Sequence, residues 1–201
     1  MSRETITLAM TGASGALYGL RLLECLLAAG EHVYFLVSQP AQMVVSMETD
    51  LKFSGNNEAI QASLLARYGG KPDQLAVYSK DQWTAPIASG SSVSRAMVVC
   101  PCSSGTLSSI ASGASDSLLE RAADVVIKER KQLVLVHRET PVSAIHLENM
   151  LKLARMGVTI LPASPGFYHK PESVAQVIDF VVARILDHLN IPHDLLPRWG
   201  D

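Results

Sequence analysis

The sequence is short of several things, and each shortage removes a class of function. There is no excess of positive charge: 17 Lys and Arg stand against 19 Asp and Glu in 201 residues, a formal net charge of −2. A chain so balanced offers no global field to nucleic acid or to an anionic membrane, so neither is an expected partner, and any phosphate it binds must be met by a local group of cations. No apolar stretch approaches the roughly 18 residues of a membrane span. The N-terminus runs straight into Thr5–Met10, a strand-like run too short for a signal-peptide core, so the expected location is the cytoplasm. Repeats, low-complexity tracts and long charged linkers are absent, and the length suits a single domain, residues 1–201.

Cysteine is scarce too. Cys25, Cys100 and Cys102 are an odd, sparse set that makes no disulfide framework. Cys100-Pro101-Cys102 has one residue between its thiols, so it fits neither a zinc ribbon nor a redox C-x-x-C pair and reads as small buried residues at a strand end. His146-Leu147-Glu148 has the H-x-E spacing of zinc deaminases, but those need P-C-x-x-C downstream, and here Pro101-Cys102 lies upstream. These residues read as a helix surface. The six histidines are scattered, and no metal site is expected.

What the chain does have is a recurrence of short apolar runs: Ile6–Met10, Val33–Val37, Met97–Cys100, Leu133–Val136 and Val158–Leu161, with helical patterns between most of them. Strands alternating with helices imply right-handed βαβ units. The expected fold is therefore α/β, a three-layer mostly parallel sheet with helices on both faces. Residues 52–96 are less regular, with a helix candidate at Glu58–Tyr68, a short strand near Val77 and a loop at Trp83–Ser92. The last helix is the clearest: Val174, Val177, Ile178, Val181, Val182, Ile185, Leu186 and Leu189 form one apolar stripe. Its start is expected at Lys170-Pro171-Glu172, with Pro in the first turn. The tail Ile191–Asp201, with two prolines and Trp199, is expected to pack on a neighbouring subunit.

In doubly wound sheets ligands sit beyond the carboxyl ends of the strands. The loop after the first strand, Thr11-Gly12-Ala13-Ser14-Gly15-Ala16, is small enough for backbone N–H groups to approach an anion at a helix N-terminus. It is not G-x-G-x-x-G, no acidic residue ends the second strand at Val37-Ser38, and the Walker lysine is missing. NAD and ATP are disfavoured, while a mononucleotide such as FMN stays open. Ser103-Ser104-Gly105-Thr106 and Ser89-Gly90-Ser91-Ser92 add two more hydroxyl-rich loops. Arg121, Asp124 and Lys128 fall at i, i+3 and i+7 of a helix and share a face, either as a ligand-facing group or as a solvated surface with an Asp124–Lys128 pair. Arg138-Glu139 directly follows the buried run Leu133–Val136, which puts a guanidinium suited to phosphate and a proton-exchanging carboxylate at the sheet's carboxyl edge. Arg184 borders the last apolar stripe, either snorkelling or pointing along the core toward a site.

At these loops the sequence resembles the UbiX family of flavin prenyltransferases, within the flavin-binding cysteine-decarboxylase-like flavoproteins. The matching stretches are TGASGALYG (Thr11–Gly19), METD (Met47–Asp50), ASGS (Ala88–Ser91), CPCSSGTLS (Cys100–Ser108), ERAADVVIKER (Glu120–Arg130), LVLVHRETP (Leu133–Pro141), HLENMLKL (His146–Leu153), PGFYHKP (Pro165–Pro171) and PRWG (Pro197–Gly200), spread over nearly the whole chain. His137 and Lys170 look like tolerated variations. The resemblance implies a Rossmann-like, flavodoxin-type sheet, bound FMN, no metal and a homododecamer built from trimers. It implies transfer of a dimethylallyl group from dimethylallyl monophosphate to reduced FMN, giving prenylated FMN for UbiD-type decarboxylases, as in ubiquinone biosynthesis. Carried over by motif, Gly12, Ala13, Ser14, Ser38, Ser89, Ser103, Ser104, Gly105, Thr106 and Arg138 would hold FMN. Lys128, Arg138, Glu139, Tyr168 and Arg184 would surround the substrate phosphate, and Trp83 and Trp199 would line the prenyl side. Ser14 and Glu48 would face the flavin ring, Glu139 would handle protons, and Arg121 would lie near the site.

The residues support that chemistry independently: cations at the edge can stabilise charge developing on a departing phosphate. Two alternatives share the fold. A decarboxylase of cysteine-type or aromatic acids should lack the phosphate group of Lys128, Tyr168 and Arg184, and a flavodoxin-like electron carrier needs no enclosed cationic site.

Overall fold

Six strands, β1 (Thr5–Met10), β2 (His32–Val37), β3 (Leu75–Tyr78), β4 (Ala96–Cys102), β5 (Gln132–His137) and β6 (Thr159–Ile160), lie side by side in the order β3-β2-β1-β4-β5-β6. Every pairing is parallel. This computed structural model describes residues 5–197. The order is that of the doubly wound nucleotide-binding sheet, which reverses direction between β1 and β4 and opens a crevice there at the strands' carboxyl ends.

The strand residues explain the layering. All six side chains of β1 and all seven of β4 are buried, as a central parallel strand covered on both faces requires. Ile6, Leu8 and Met10 face one core, shared with helices α1 (Ala16–Ala28), α2 (Gln39–Glu48), α3 (Asn57–Tyr68) and α7 (Val174–His188). Ala9, Met97 and Val99 face the other, shared with α4 (Ser104–Ser112), α5 (Leu118–Lys128) and α6 (Ala144–Arg155). The buried hydroxyls of Thr5 and Thr7 are satisfied by Ser94 Oγ at 3.1 and 2.7 Å.

Several expectations are corrected in detail. β4 continues past Cys100 through Pro101 to Cys102, although Pro has no N–H for a central ladder; the register with β5 shifts between Val99 and Cys102 to accommodate it. β6 is only Thr159–Ile160, but the pairing runs on irregularly, since Leu161 and Ala163 donate to the carbonyls of Leu135 and His137 at 2.9 Å each. α7 begins at Val174 behind an Ser173 N-cap, because the Ser173 hydroxyl accepts from Gln176 N, so Pro171 lies before the helix and not in its first turn. The loop Trp83–Ser92 carries two short 3₁₀ turns, Pro86–Ala88 and Gly90–Ser92. Separately from these corrections, the first residues of the tail are anchored on their own chain: Ile191 is buried in the core with α7, Leu195 packs against that core, and His193 pairs with Asp187 at 3.1 Å. Trp199 lies outside the described residues. Cys100 and Cys102 are fully buried, and burial pushes the Cys102 thiol up to about 12, so both are inert packing residues.

Candidate active site

At the β1/β4 switch point a cleft of about 370 Å³ opens, lined by Thr11, Gly12, Leu36, Val37, Ser38, Gln39, Pro40, Lys80, Ser103, Thr106, Ser117, Leu119 and Glu120. Its floor is fixed by one hydroxyl. Thr11 Oγ1 donates to the Pro101 carbonyl at 2.7 Å and accepts from Ser103 N at 2.8 Å, tying the loop after β1 to the loop after β4. Two helices start at the cleft. Ser38 caps α2 by accepting from Ala41 N, and Ser103 caps α4 by accepting from Thr106 N. With those hydroxyls used as caps, the first-turn N–H groups of Ser104 and Gly105 have no acceptor inside their helix and carry its positive end. Gly12 is glycine because Pro40 packs onto it: an added Cβ would meet Pro40 Cβ at 2.5 Å.

In the loop after β1, the N–H groups that open α1 meet a carboxylate of the chain itself. The N–H groups of Gly15 and Ala16 already donate to the Glu48 carboxylate, at 3.0 and 2.8 Å to Oε2. Gly15 itself takes a left-handed conformation, φ 103°, which only glycine adopts cheaply. Thus Glu48, expected at the flavin ring, serves as the anion at the start of α1. Ala13 is buried and Ser14 is exposed.

Arg138 and Glu139 sit at the carboxyl end of β5, next to this cleft. Arg138 N donates to the Cys102 carbonyl at 3.1 Å, and its Nε donates to the Ser14 carbonyl at 3.1 Å, so the guanidinium spans from β5 to the β1 loop. Glu139 is not its ion-pair partner. The Ser104 hydroxyl donates to Glu139 Oε2 at 3.0 Å and Thr140 N donates to Oε1 at 3.2 Å. The Ser104 bond, then the Thr140 N–H, hold the Glu139 carboxyl below the usual carboxylate range, so it is ionised at neutral pH. His137, read from the sequence only as a tolerated variation, has its Nε2 3.0 Å from the Ser104 hydroxyl.

The remaining site residues lie elsewhere on the chain. α5 runs back against the strands, so its end is near the sheet's amino edge. There Lys128 pairs with Glu129, not with Asp124, and both side chains lie across Gly90, where any Cβ would strike them. Arg121 pairs with Asp124 at 2.9 Å, and its Nε donates to the Ala88 carbonyl at 3.1 Å. Ser89 shares that loop, exposed and bonded to Ser91, and lines no part of the cleft at the β1/β4 edge. Arg184 does not point along the core: it is 55% exposed and pairs with Asp187 at 2.6 Å. It shares a separate cleft of about 400 Å³ with Tyr168, Phe180, His193 and Pro197. Trp83 is 48% exposed in its loop. Among the described residues no group of His, Cys, Asp and Glu could hold a metal ion, and His146 instead closes a capping box with Ser143 at the start of α6.

A family model described as Flavoprotein matches residues 1–186. Flavin prenyltransferase UbiX of Pseudomonas aeruginosa is 59% identical over 198 residues, covering 98% of this chain and 95% of that one. This chain belongs to the UbiX flavin prenyltransferase family of flavoproteins. Among solved structures, AnUbiX (PadA1) in complex with FMN and dimethylallyl pyrophosphate matches with a TM-score of 0.88 and 38% identity, over 99% of this chain and 98% of that one. A dodecameric FMN-dependent Ubix-like decarboxylase from Escherichia coli O157:H7 matches at 0.86 and 38%, over 98% and 100%. The UbiX-family cleft here fits a flavin mononucleotide on its own chemistry. Helix N-termini and hydroxyls at Ser38, Ser103 and Thr106 suit a phosphate, and Leu36, Val37 and Leu119 offer apolar surface beside them. No helix among the described residues is long and apolar enough to cross a membrane.

Proposed function

We propose that this UbiX-family chain transfers a dimethylallyl group from dimethylallyl monophosphate to reduced FMN, releasing phosphate and prenylated FMN, and that its active site is completed between protomers. The observation that carries this reading is the Glu139 carboxylate held ionised by Ser104 next to the FMN-sized cleft. An ionised carboxylate beside the cleft can take a proton when the alkylated ring closes. Reduced FMN, when bound, supplies the nucleophile. Gly12, Ser38, Ser103 and Thr106 hold its phosphate end, and Arg138 reaches the same edge through Ser14.

The substrate phosphate needs more cations than that edge presents. Lys128 and Arg121 lie along α5 with the Ser89 loop, and Tyr168 and Arg184 share the α7 cleft. Within one chain these groups lie on separate surfaces, with Lys128 at the end of α5 remote from the cleft and Arg184 in a cleft of its own. A closed homo-oligomer can bring them together by presenting the α5 surface of one copy and the α7 cleft of another to the FMN side of a third; the dodecameric relative supports such an assembly. There Lys128, Arg138 and Arg184 stabilise charge on the departing phosphate, Tyr168 donates a hydrogen bond, and Trp83 covers the cation-like prenyl group, a contact worth about 2 kcal/mol when desolvated. Holding flavin and allyl carbon together can contribute about 7–11 kcal/mol. The product then passes to a UbiD-type decarboxylase. Both ligands are charged solutes that a membrane retains, which supports a cytoplasmic site of action.

The test is an anaerobic incubation with reduced FMN and dimethylallyl monophosphate. The flavin should gain one five-carbon unit as free phosphate appears, and the extract should activate a separate apo-decarboxylase. Carbon dioxide released from a hydroxybenzoate or a cysteine-type acid, with the flavin mass unchanged, would overturn the reading.

A further inference from the structure

Resting on the reading of Glu139 as the proton-handling group, we propose that His137 is a positioning residue of the site, which orients the Ser104 hydroxyl so that its one proton is committed to the Glu139 carboxylate. His137 ends β5 and is 3% exposed, so its ring needs internal partners. Its backbone is pinned on both sides of the residue: the N–H donates to the Leu161 carbonyl at 3.1 Å and the carbonyl accepts from Ala163 at 2.9 Å. The ring thus has a fixed base. From there Nε2 reaches Ser104 Oγ at 3.0 Å, and Ser104 Oγ reaches Glu139 Oε2 at 3.0 Å.

Proton inventory settles the direction of both bonds. An ionised carboxylate only accepts, and a hydroxyl has one proton. Ser104 therefore gives its proton to Glu139, and His137 must present Nε2–H to the Ser104 oxygen. The groups facing the ring are consistent with a neutral imidazole. His146 of α6 lies edge-on with ring centroids 6.2 Å apart, Cys102 is the register partner on β4, and Arg138 and Glu139 follow on the same loop. Burial first, then His146, lowers the His137 pKa, with Glu139 opposing and Arg138 adding to the fall. Cys102 is an undissociated thiol and adds no charge. The result is a buried donor that stops Ser104 from turning its proton elsewhere. The carboxylate keeps its strongest hydrogen bond and stays available as a proton acceptor.

The experiment compares His137→Phe, His137→Gln, Ser104→Ala and Glu139→Gln in the full-length protein. FMN affinity, KM for dimethylallyl monophosphate and kcat are measured against pH. Phe keeps the ring and removes the donor, while Gln keeps a neutral N–H donor. His137→Phe should bind FMN as the wild type does, and at saturating FMN both His137→Phe and Ser104→Ala should keep the KM for dimethylallyl monophosphate. Their kcat should fall about tenfold, and the acid limb of the kcat profile should move up by about one pH unit, because a hydrogen bond to the charged form is lost. His137→Gln should restore both, and the double variant His137→Phe/Ser104→Ala should be no worse than either single one. Should His137→Phe fail to fold, His137→Leu takes its place as the variant without a donor, and the position of its acid limb decides the matter. A slow Glu139→Gln together with an unmoved acid limb in the donor-less His137 variant would overturn the role of His137. Full turnover in Glu139→Gln would overturn the reading of Glu139 on which it rests.

Discussion

The FMN side and the phosphate side of this chain are built differently. At the β1/β4 edge, Thr11, Ser38, Ser103, Ser104 and Arg138 are tied to one another and to strand ends by bonds of 2.7 to 3.3 Å within one chain. Of the cations expected on the substrate phosphate, Arg138 stands on this edge, while Lys128 and Arg184 lie on other surfaces and are neutralised locally by Glu129 and Asp187, as Arg121 is by Asp124. A lone cation paired at a partly exposed surface gains little, since such pairs are worth about 0–1 kcal/mol. On the proposed assembly, the difference teaches that one chain would build the cofactor side alone, whereas phosphate recognition would need a further copy to bury those cations against a ligand.

The comparison breaks most sharply under mixing. Ser14→Asp places a negative charge on an exposed residue of the FMN side, and Lys128→Ala removes a cation of the other side. The Ser14→Asp homo-oligomer should lose activity about a hundredfold and the Lys128→Ala one about 10–100-fold. Oligomers reassembled from equal amounts of the two variants should recover up to about a quarter of wild-type turnover, because a quarter of the sites combine an intact loop with an intact lysine from another copy. No recovery on mixing would mean that one chain supplies both halves.

Single variants on the phosphate side come next. Lys128→Ala, Tyr168→Phe and Arg184→Ala should retain FMN stoichiometry and lose kcat/KM by about 10–100-fold, the equivalent of a charge-assisted contact of about 1.5–3 kcal/mol. Flavin loss with normal turnover at saturating FMN would move these residues to the cofactor. Smaller again is Gly12→Ala. The new methyl meets Pro40 Cβ, so α2 must shift away from the β1 loop, at a cost of about 1–3 kcal/mol in stability. Calorimetry of the apo protein reads that cost directly, and an unchanged melting temperature would show that the loop is looser than its contacts suggest.

Much of the fold was legible because burial writes itself into strand composition. Ile6–Met10, Met97–Cys100 and Leu133–Val136 have no polar face to hide and could only be central strands. Ends were less legible. Val158–Leu161 is apolar, yet only Thr159–Ile160 keeps regular pairing, because an edge strand has one neighbour to hold it. The start of α7 was misjudged since Pro171 and Ser173 are both starting signals, and the hydroxyl that accepts Gln176 N wins. In the site, residue identity outran placement. Lys128, Arg121 and Ser89 belong to matching motifs, but Lys128 stands at the far end of α5 from the cleft, and Arg121 bonds the Ala88 carbonyl beside Ser89. Glu48 carries no local signal that it would meet Gly15 and Ala16, 33 and 32 residues away in sequence. His137 was read only as a tolerated variation because a histidine at the end of an apolar strand looks like any buried residue. Its partner Ser104 is 33 residues away, and only the sheet brings them together.

The smallest expected effect separates the built-in half from the dispersed half by pH alone. His137 is held neutral by burial, so its folded pKa lies below the ordinary value of about 6.5. Between those two values the unfolded chain binds a proton that the folded chain refuses, so stability rises with pH through that window. The contribution is fully present above about 6.5 and is lost as pH falls through the folded pKa. Glu139 acts in the same sense at lower pH, because its folded pKa is also depressed. Thermal unfolding of the apo protein at low salt should therefore show a modest fall in melting temperature just below pH 6.5 that His137→Gln removes. Arg184→Ala and Lys128→Ala should leave that fall in place, since their partly exposed pairs with Asp187 and Glu129 do not involve His137. A fall that survives in His137→Gln would assign it to another histidine and would loosen the link between the buried ring and the FMN-side edge.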